Sequence, residues 1–121
     1  MVVSVPYRVI YGDTDQMGVM YYANYFRLFE MGRNEYLRAV GLTYKEIEAR
    51  GLRLPVVEAS CRYQRPARYD DLIHLEVRVL RIKGARVHFA YELKDDGGEL
   101  LARGETQHAN LDDAGRVVRI E

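Results

Sequence analysis

The chain is short of cysteine, proline, excess charge and long apolar runs, and each shortage removes a class of protein. One cysteine, Cys61, among 121 residues closes no intrachain disulfide and supplies no zinc framework. That usage suits a reducing compartment. Eighteen Lys+Arg balance eighteen Asp+Glu, so no overall field draws in a polyanion as large as DNA, which argues against a dedicated nucleic-acid binder. A local basic patch for a smaller anion stays open. No stretch approaches the roughly 18 consecutive apolar residues of a membrane span. The N-terminus, Met1 to Pro6, lacks the basic region and apolar run of a signal peptide, so the expected location is the cytoplasm. Three prolines and ten glycines lie scattered, with no linker, repeat or low-complexity stretch, so residues 1–121 are expected to form one domain. What is present is ordinary globular material, 48% apolar and 30% charged. A domain this small buries a limited share of its surface and is often helped by oligomerisation, so subunit contacts are expected.

Periodicity orders the chain. Val3, Val5, Tyr7, Val9 and Tyr11 share one parity, which predicts a half-buried strand. Gly12 to Gly18 is polar and glycine-bounded, hence a loop. From about Tyr22, apolar and aromatic residues recur at three- and four-residue steps (Tyr22, Phe26, Phe29, Tyr36, Leu37, Val40), predicting an amphipathic helix that ends at Gly41. Thr43 and Glu46 fit a capping box opening a short helix to Arg50. After Leu54 the pattern alternates as sheet. The parity slips at Leu80 and Ile82, as at a bulge. Asp95 to Gly98 and Asp112 to Gly115 read as turns, the second before a short last strand. Ala102, Gly104 and Thr106 share a parity and are small, as if something bulky lies against them. Short turns force antiparallel pairing, and the only cover for one long apolar helix stripe is a curved sheet. The expected class is α+β, a central helix wrapped by an antiparallel meander.

The loop before the helix carries the candidate chemistry. Asp13 and Asp15 lie in it, just ahead of a helix N-terminus. There unpaired amides and the positive end of the dipole face outward. Such amides stabilise an oxyanion forming on a carbonyl, and a nearby carboxylate serves as base or nucleophile on the same carbonyl. The plainer reading of an Asp at this position is a turn former or cap. A calcium loop beginning at Asp13 fails, because Met17 and Asn24 stand where oxygen ligands belong. His74, His88 and His108 fall on separate strands, so no metal site is expected. His74 and His88 lie on the polar parity and read as surface residues. Cys61 lies on an apolar parity and reads as core. Glu30 and Arg33, one helical turn apart, read as an ion pair. Nothing local ties Glu58 to a site.

The run Tyr11-Gly-Asp-Thr-Asp-Gln-Met-Gly-Val-Met-Tyr-Tyr-Ala-Asn-Tyr25, continuing to Arg33, resembles the signature of hotdog-fold acyl-CoA thioesterases. It is most similar to the 4-hydroxybenzoyl-CoA thioesterase and YbgC-like branch. The likeness extends through Arg62 to Asp71 and over most of the chain. The resemblance implies a hotdog fold, a long helix wrapped by five to six strands. It implies hydrolysis of a coenzyme A thioester without a cofactor or metal, by a cytoplasmic homodimer or dimer of dimers whose site lies at the subunit interface. Carried over, Asp15 is the catalytic carboxylate and the Tyr22 N–H at the helix opening polarises the carbonyl. YbgC-like members often have His at the Tyr22 position. Asp13 and Gly18 shape the loop. Arg81, Lys83 and Arg86, flanking Gly84, are the candidates for the coenzyme A phosphates, with Arg62, Arg65 and Arg68 a second basic group. The alternatives on the same fold are a non-catalytic acyl-CoA or acyl-carrier-protein binding module and a hydratase. A hydratase would want a His that the loop lacks.

Overall fold

The computed structural model describes residues 1–42, 44–49, 51 and 53–119. Strand β1 (Val3–Arg8) leads through a 3-10 turn (Tyr11–Asp13) to helix α1 (Asn24–Ala39) and the short α2 (Tyr44–Ala49). Strands β2 (Val56–Tyr63), β3 (Leu72–Lys83), β4 (Arg86–Asp95) and β5 (Leu100–Ala109) follow. All five strands pair antiparallel in one sheet, in the order β1-β3-β4-β5-β2.

Only β3 to β5 run as the expected meander. β2 leaves its sequence neighbour and pairs with β5 at the far edge, so the chain crosses the sheet between β2 and β3. The expected last strand is reduced, among the described residues, to an isolated bridge between Leu111 and Val117. The proposed capping box lies partly outside the described residues, because it includes Thr43. The β3 bulge is where the parity slipped, between Val79 and Arg81.

Helix α1 buries Tyr25, Leu28, Phe29 and Gly32, spaced at three and four residues so that they form one stripe. Phe29 stacks on Tyr91 of β4 at 4.2 Å between ring centres. The small parity of β5 has its explanation here. A Cβ on Gly104 would come within 2.5 Å of Phe29 Cε2 and 2.6 Å of the Ser60 carbonyl oxygen. Gly104 therefore sets how closely the helix and the edge strand approach β5. The helix ends as expected: Gly41 takes φ +91, its N–H bonds the Arg38 carbonyl, and the Leu42 N–H reaches back to Leu37 at 2.8 Å. These two bonds make a Schellman motif, whose left-handed residue glycine accommodates without a Cβ clash.

The start of α1 differs from expectation. Tyr22 lies in a turn two residues before the helix, held by Tyr21 N–H to the Asp13 carbonyl and Asn24 N–H to the Tyr21 carbonyl. The aromatic spacing begins earlier than the hydrogen-bond ladder because the turn already faces Tyr25 and Tyr63. Val57, Ala59 and Tyr63 of β2 are exposed, although they alternate with polar residues. β2 is an edge strand, which α1 reaches through Tyr25 against Tyr63. Cys61 is half-buried and packs on the margin of the core.

Candidate active site

Asp13 and Asp15 are two residues apart and have different surroundings. Asp13 is 2% exposed. Its Oδ2 accepts from the Tyr7 hydroxyl at 2.6 Å and from the Ile10 N–H at 3.0 Å, and its Oδ1 accepts from Arg27. Its carbonyl takes the Tyr21 N–H and the Asn24 amide. Asp13 thereby ties β1, the loop and the first turns of α1 together. Arg27 was not singled out in the sequence, but a signal existed. A cation near the start of a helix opposes the dipole, and a carboxylate from outside the helix resolves that conflict.

Asp15 begins a tight turn, Asp15 to Gly18, closed by the Gly18 N–H on the Asp15 carbonyl, with Gly18 at φ +78. The turn is seated against the chain entering β3 by the Val19–Arg68 bridge and by Met20 N–H to the Ala67 carbonyl at 2.7 Å. Asp15 Oδ1 accepts the Met17 N–H at 2.9 Å. Among the described residues, Oδ2 has no hydrogen-bond partner.

The side chain lines a crevice of about 270 Å³ together with Met17, Met20, Tyr22, Tyr25 and Tyr63. Met20 and Tyr25, both 3% exposed, make its floor. Tyr63 reaches from β2 to donate to the Tyr22 carbonyl at 2.9 Å. Burial raises the Tyr63 pKa above its usual value, with the neighbouring Cys61 adding to it, so the hydroxyl remains a donor. Among the described residues the N–H groups of Tyr22 and Ala23 donate to no backbone oxygen. The crevice therefore combines an acceptor-only carboxylate with the Tyr22 amide, which has no acceptor among the described residues.

The structure does not bring all the sequence candidates together. Arg81, Lys83 and Arg86 are exposed around the β3–β4 hairpin. The Asp15 loop sits at the other end of β3, whose twelve residues span about 36 Å. Of the second basic group, Arg65 lines the Asp15 crevice and pairs with Glu99 at 2.7 Å.

Glu30 and Arg33 form no ion pair, because Arg33 turns inward and donates to the Tyr91 hydroxyl at 3.2 Å. From there a buried chain runs through Thr106 Oγ1 (2.6 Å) to His108 Nε2 (2.9 Å), and from His108 Nδ1 to the Leu54 carbonyl (2.9 Å). Its direction is fixed. The carbonyl only accepts, so Nδ1 carries the proton. Burial first, and Arg33 after it, lower the His108 pKa from 6.5, so the ring is neutral and Nε2 accepts from Thr106. Thr106 then accepts from Tyr91, which accepts from Arg33. His108, 1% exposed, entered the sequence reading only as a possible metal ligand, although it continues the inward parity of Ala102, Gly104 and Thr106. Burial also pushes the Cys61 thiol up, which leaves it a poor nucleophile. Among the described residues no cluster of His, Cys, Asp and Glu is arranged to hold a metal, and no helix is long and apolar enough to cross a membrane.

With this geometry in hand, the comparison with known proteins is specific. Residues 9–121 match the thioesterase-like superfamily. The chain belongs to that superfamily. It is 40% identical over 91 residues to the acyl-CoA thioesterase YbgC of Haemophilus influenzae, covering 74% of this chain and 67% of that protein. It is 30% identical over 104 residues to the 1,4-dihydroxy-2-naphthoyl-CoA hydrolase of Thermosynechococcus vestitus, covering 85% and 71%. The crystal structure of a DHNA-CoA thioesterase from Staphylococcus aureus superposes with a TM-score of 0.93 at 26% identity, covering 98% of this chain and 80% of that one. A 4-hydroxybenzoyl-CoA thioesterase structure, at 20% identity and a TM-score of 0.89 over 99% and 93% of the two chains, shares the fold. This thioesterase-like chain therefore has the hotdog architecture that the resemblance implied, and thioester hydrolysis is the enzyme class of its family.

Proposed function

We propose that the chain hydrolyses an acyl-CoA thioester to the free acid and coenzyme A, with Asp15 as the catalytic carboxylate. The observation that carries this reading is Asp15, with its Oδ2 unpartnered, on the same crevice as Tyr22, whose N–H has no acceptor among the described residues. The carbonyl oxygen takes the Tyr22 N–H, and charge developing on it is stabilised by that amide and by the start of α1. Asp15 either removes a proton from water as water attacks, or attacks the carbonyl itself to give an anhydride that water then opens. Water and the thioester balance the reaction, so no cofactor enters. Asp13 and Gly18 hold the loop that presents Asp15.

The working unit is a homodimer, singly or as a dimer of dimers, of single domains spanning 1–121 in the cytoplasm. What supports the dimer is β2, an exposed edge strand whose outer backbone groups have no partner strand among the described residues. In such an assembly Arg81, Lys83 and Arg86, remote from their own Asp15, serve the coenzyme A phosphates of the partner's site. A panel of acyl-CoAs incubated with a thiol reagent tests the function. Thiol release is the expected outcome, and tight binding of acyl-CoA without release would favour a binding module instead.

A further inference from the structure

Asp15 borders a second crevice on its other side. It measures about 520 Å³ and is lined by Tyr11, Thr14, Asp15, Gln16, Gly18 and Tyr69. Its two aromatic walls are 78% and 58% exposed, and they meet edge to face with ring centres 5.8 Å apart. Core packing does not account for two tyrosines held this far into solvent. Both sit on fixed supports. Tyr11 begins the 3-10 turn that ends in the buried Asp13. Tyr69 lies in a turn closed by Arg68 N–H to Asp71 Oδ2 (2.9 Å), Asp70 N–H to the Val9 carbonyl (2.9 Å) and Arg8 to the Asp70 carbonyl (2.8 Å). Asp70, at φ 68, is the one non-glycine residue at positive φ among the described residues. A backbone held in that region is maintained by its surroundings, and such positions gather at functional sites.

We infer that the two crevices divide the thioester at Asp15: the one floored by Met20 and Tyr25 takes the acyl limb, and the Tyr11–Tyr69 crevice takes the amide-bearing arm of the thiol limb. This rests on the thioesterase reading of Asp15. The assignment follows from chemistry on each side. The first crevice has a floor in the hydrophobic core and a lining that is mostly methionine, valine, proline and tyrosine, with Gln64 and Arg65 beside them, matching an acyl group. The second has no core residue in its lining, so whatever it holds stays at the surface. The thiol limb of coenzyme A must do that, because it continues to a charged nucleotide. Its arm alternates amides with short methylene runs. The Gln16 carboxamide, the tyrosine hydroxyls and Thr14 Oγ1, which spends its proton on the Tyr11 carbonyl at 2.7 Å, offer donors and acceptors for the amides, while the ring faces cover the methylenes. Walls already fixed in place lose little freedom when the arm docks.

The test compares one acyl group carried on coenzyme A and on N-acetylcysteamine, which lacks most of the arm. Wild type, Tyr69→Ala and Tyr11→Ala are assayed, with melting temperatures to confirm folding. In either variant the preference in kcat/KM for the coenzyme A ester over the short ester should fall about tenfold, chiefly through KM, with the ranking of acyl groups unchanged. An equal loss on both thiols, or a reordered acyl preference, would overturn the assignment. Titration of free coenzyme A onto the same proteins makes the test independent of turnover. About tenfold weaker binding to Tyr69→Ala supports the arm site even if no thioester is hydrolysed, an outcome that would reject the thioesterase reading alone. Identical affinities for wild type and variant overturn the arm site.

Discussion

Asp13→Asn separates the two loop carboxylates by what each does. The substitution keeps the shape of the side chain and replaces one acceptor oxygen by an amide that cannot accept. If the amide faces Arg27, a charge-assisted bond is lost and two donors oppose each other. If it faces the other way, the Tyr7 hydroxyl and the Ile10 N–H lose their shared acceptor. A hydrogen bond to a charged group contributes about 1.5–3 kcal/mol. Arg27 is half exposed and Asp13 is not, so water compensates the arginine in part. A net loss of about 2 kcal/mol follows, which for a chain of this length lowers the melting temperature by about 8 °C. Calorimetry reads the stability, and thioester hydrolysis well below the melting range reads the chemistry. The expected result is a clear loss of stability with kcat of the same order as wild type. An unchanged melting temperature with abolished hydrolysis would refute the structural role and place Asp13 in the reaction.

Two further perturbations probe the scaffold. Gly104→Ala puts a methyl group 2.5 Å from Phe29 and 2.6 Å from the Ser60 carbonyl oxygen. The backbone there cannot retreat without parting β2 from β5, so urea unfolding should show a loss of about 1–3 kcal/mol, and a neutral substitution would mean the helix does not seat on β5 as described. His108 is neutral in the fold with its pKa lowered from 6.5, so the unfolded chain binds its proton first. Its contribution to stability is complete above about pH 6.5 and is lost as pH falls from there toward the lower folded-state value. The slope of stability against pH below 6.5 should be shallower in His108→Asn, and an identical slope would mean that His108 is not the group responsible.

The elements that announce themselves in the sequence are those fixed by neighbours along the chain. The Gly41 cap and the β3 bulge each depend on spacings of a few residues, and each is found where the spacing puts it. The helix stripe is only partly as read: Phe29 is buried and Phe26 and Tyr36 pack beside it, but Tyr25, Leu28 and Gly32 complete the buried face, while Tyr22 and Val40 are exposed. What the spacing does not carry is the choice of distant partners. The position of β2 beside β5 depends on pairing across the whole sheet, so the alternation of its residues did not mark it as an edge strand. The Arg33–Tyr91–Thr106–His108 chain joins four residues from three elements, and Arg33 had a nearer candidate in Glu30. For the candidate site, the carboxylate-bearing loop was legible, because two glycines and two carboxylates crowd into seven residues, whereas the choice of Asp15 over Asp13 came from the family resemblance. The separation of Arg81, Lys83 and Arg86 from that loop was not, since it follows from the direction in which β3 runs.

The Asp15 carboxylate is proposed to perform chemistry in a crevice it does not hold together. Turnover of an acyl-CoA by Asp15→Asn, measured beside its melting temperature and its oligomeric state, tests this most directly. The expected result is a fall in kcat of about a hundred- to ten-thousandfold with melting temperature and assembly preserved. Wild-type turnover in that variant would contradict it.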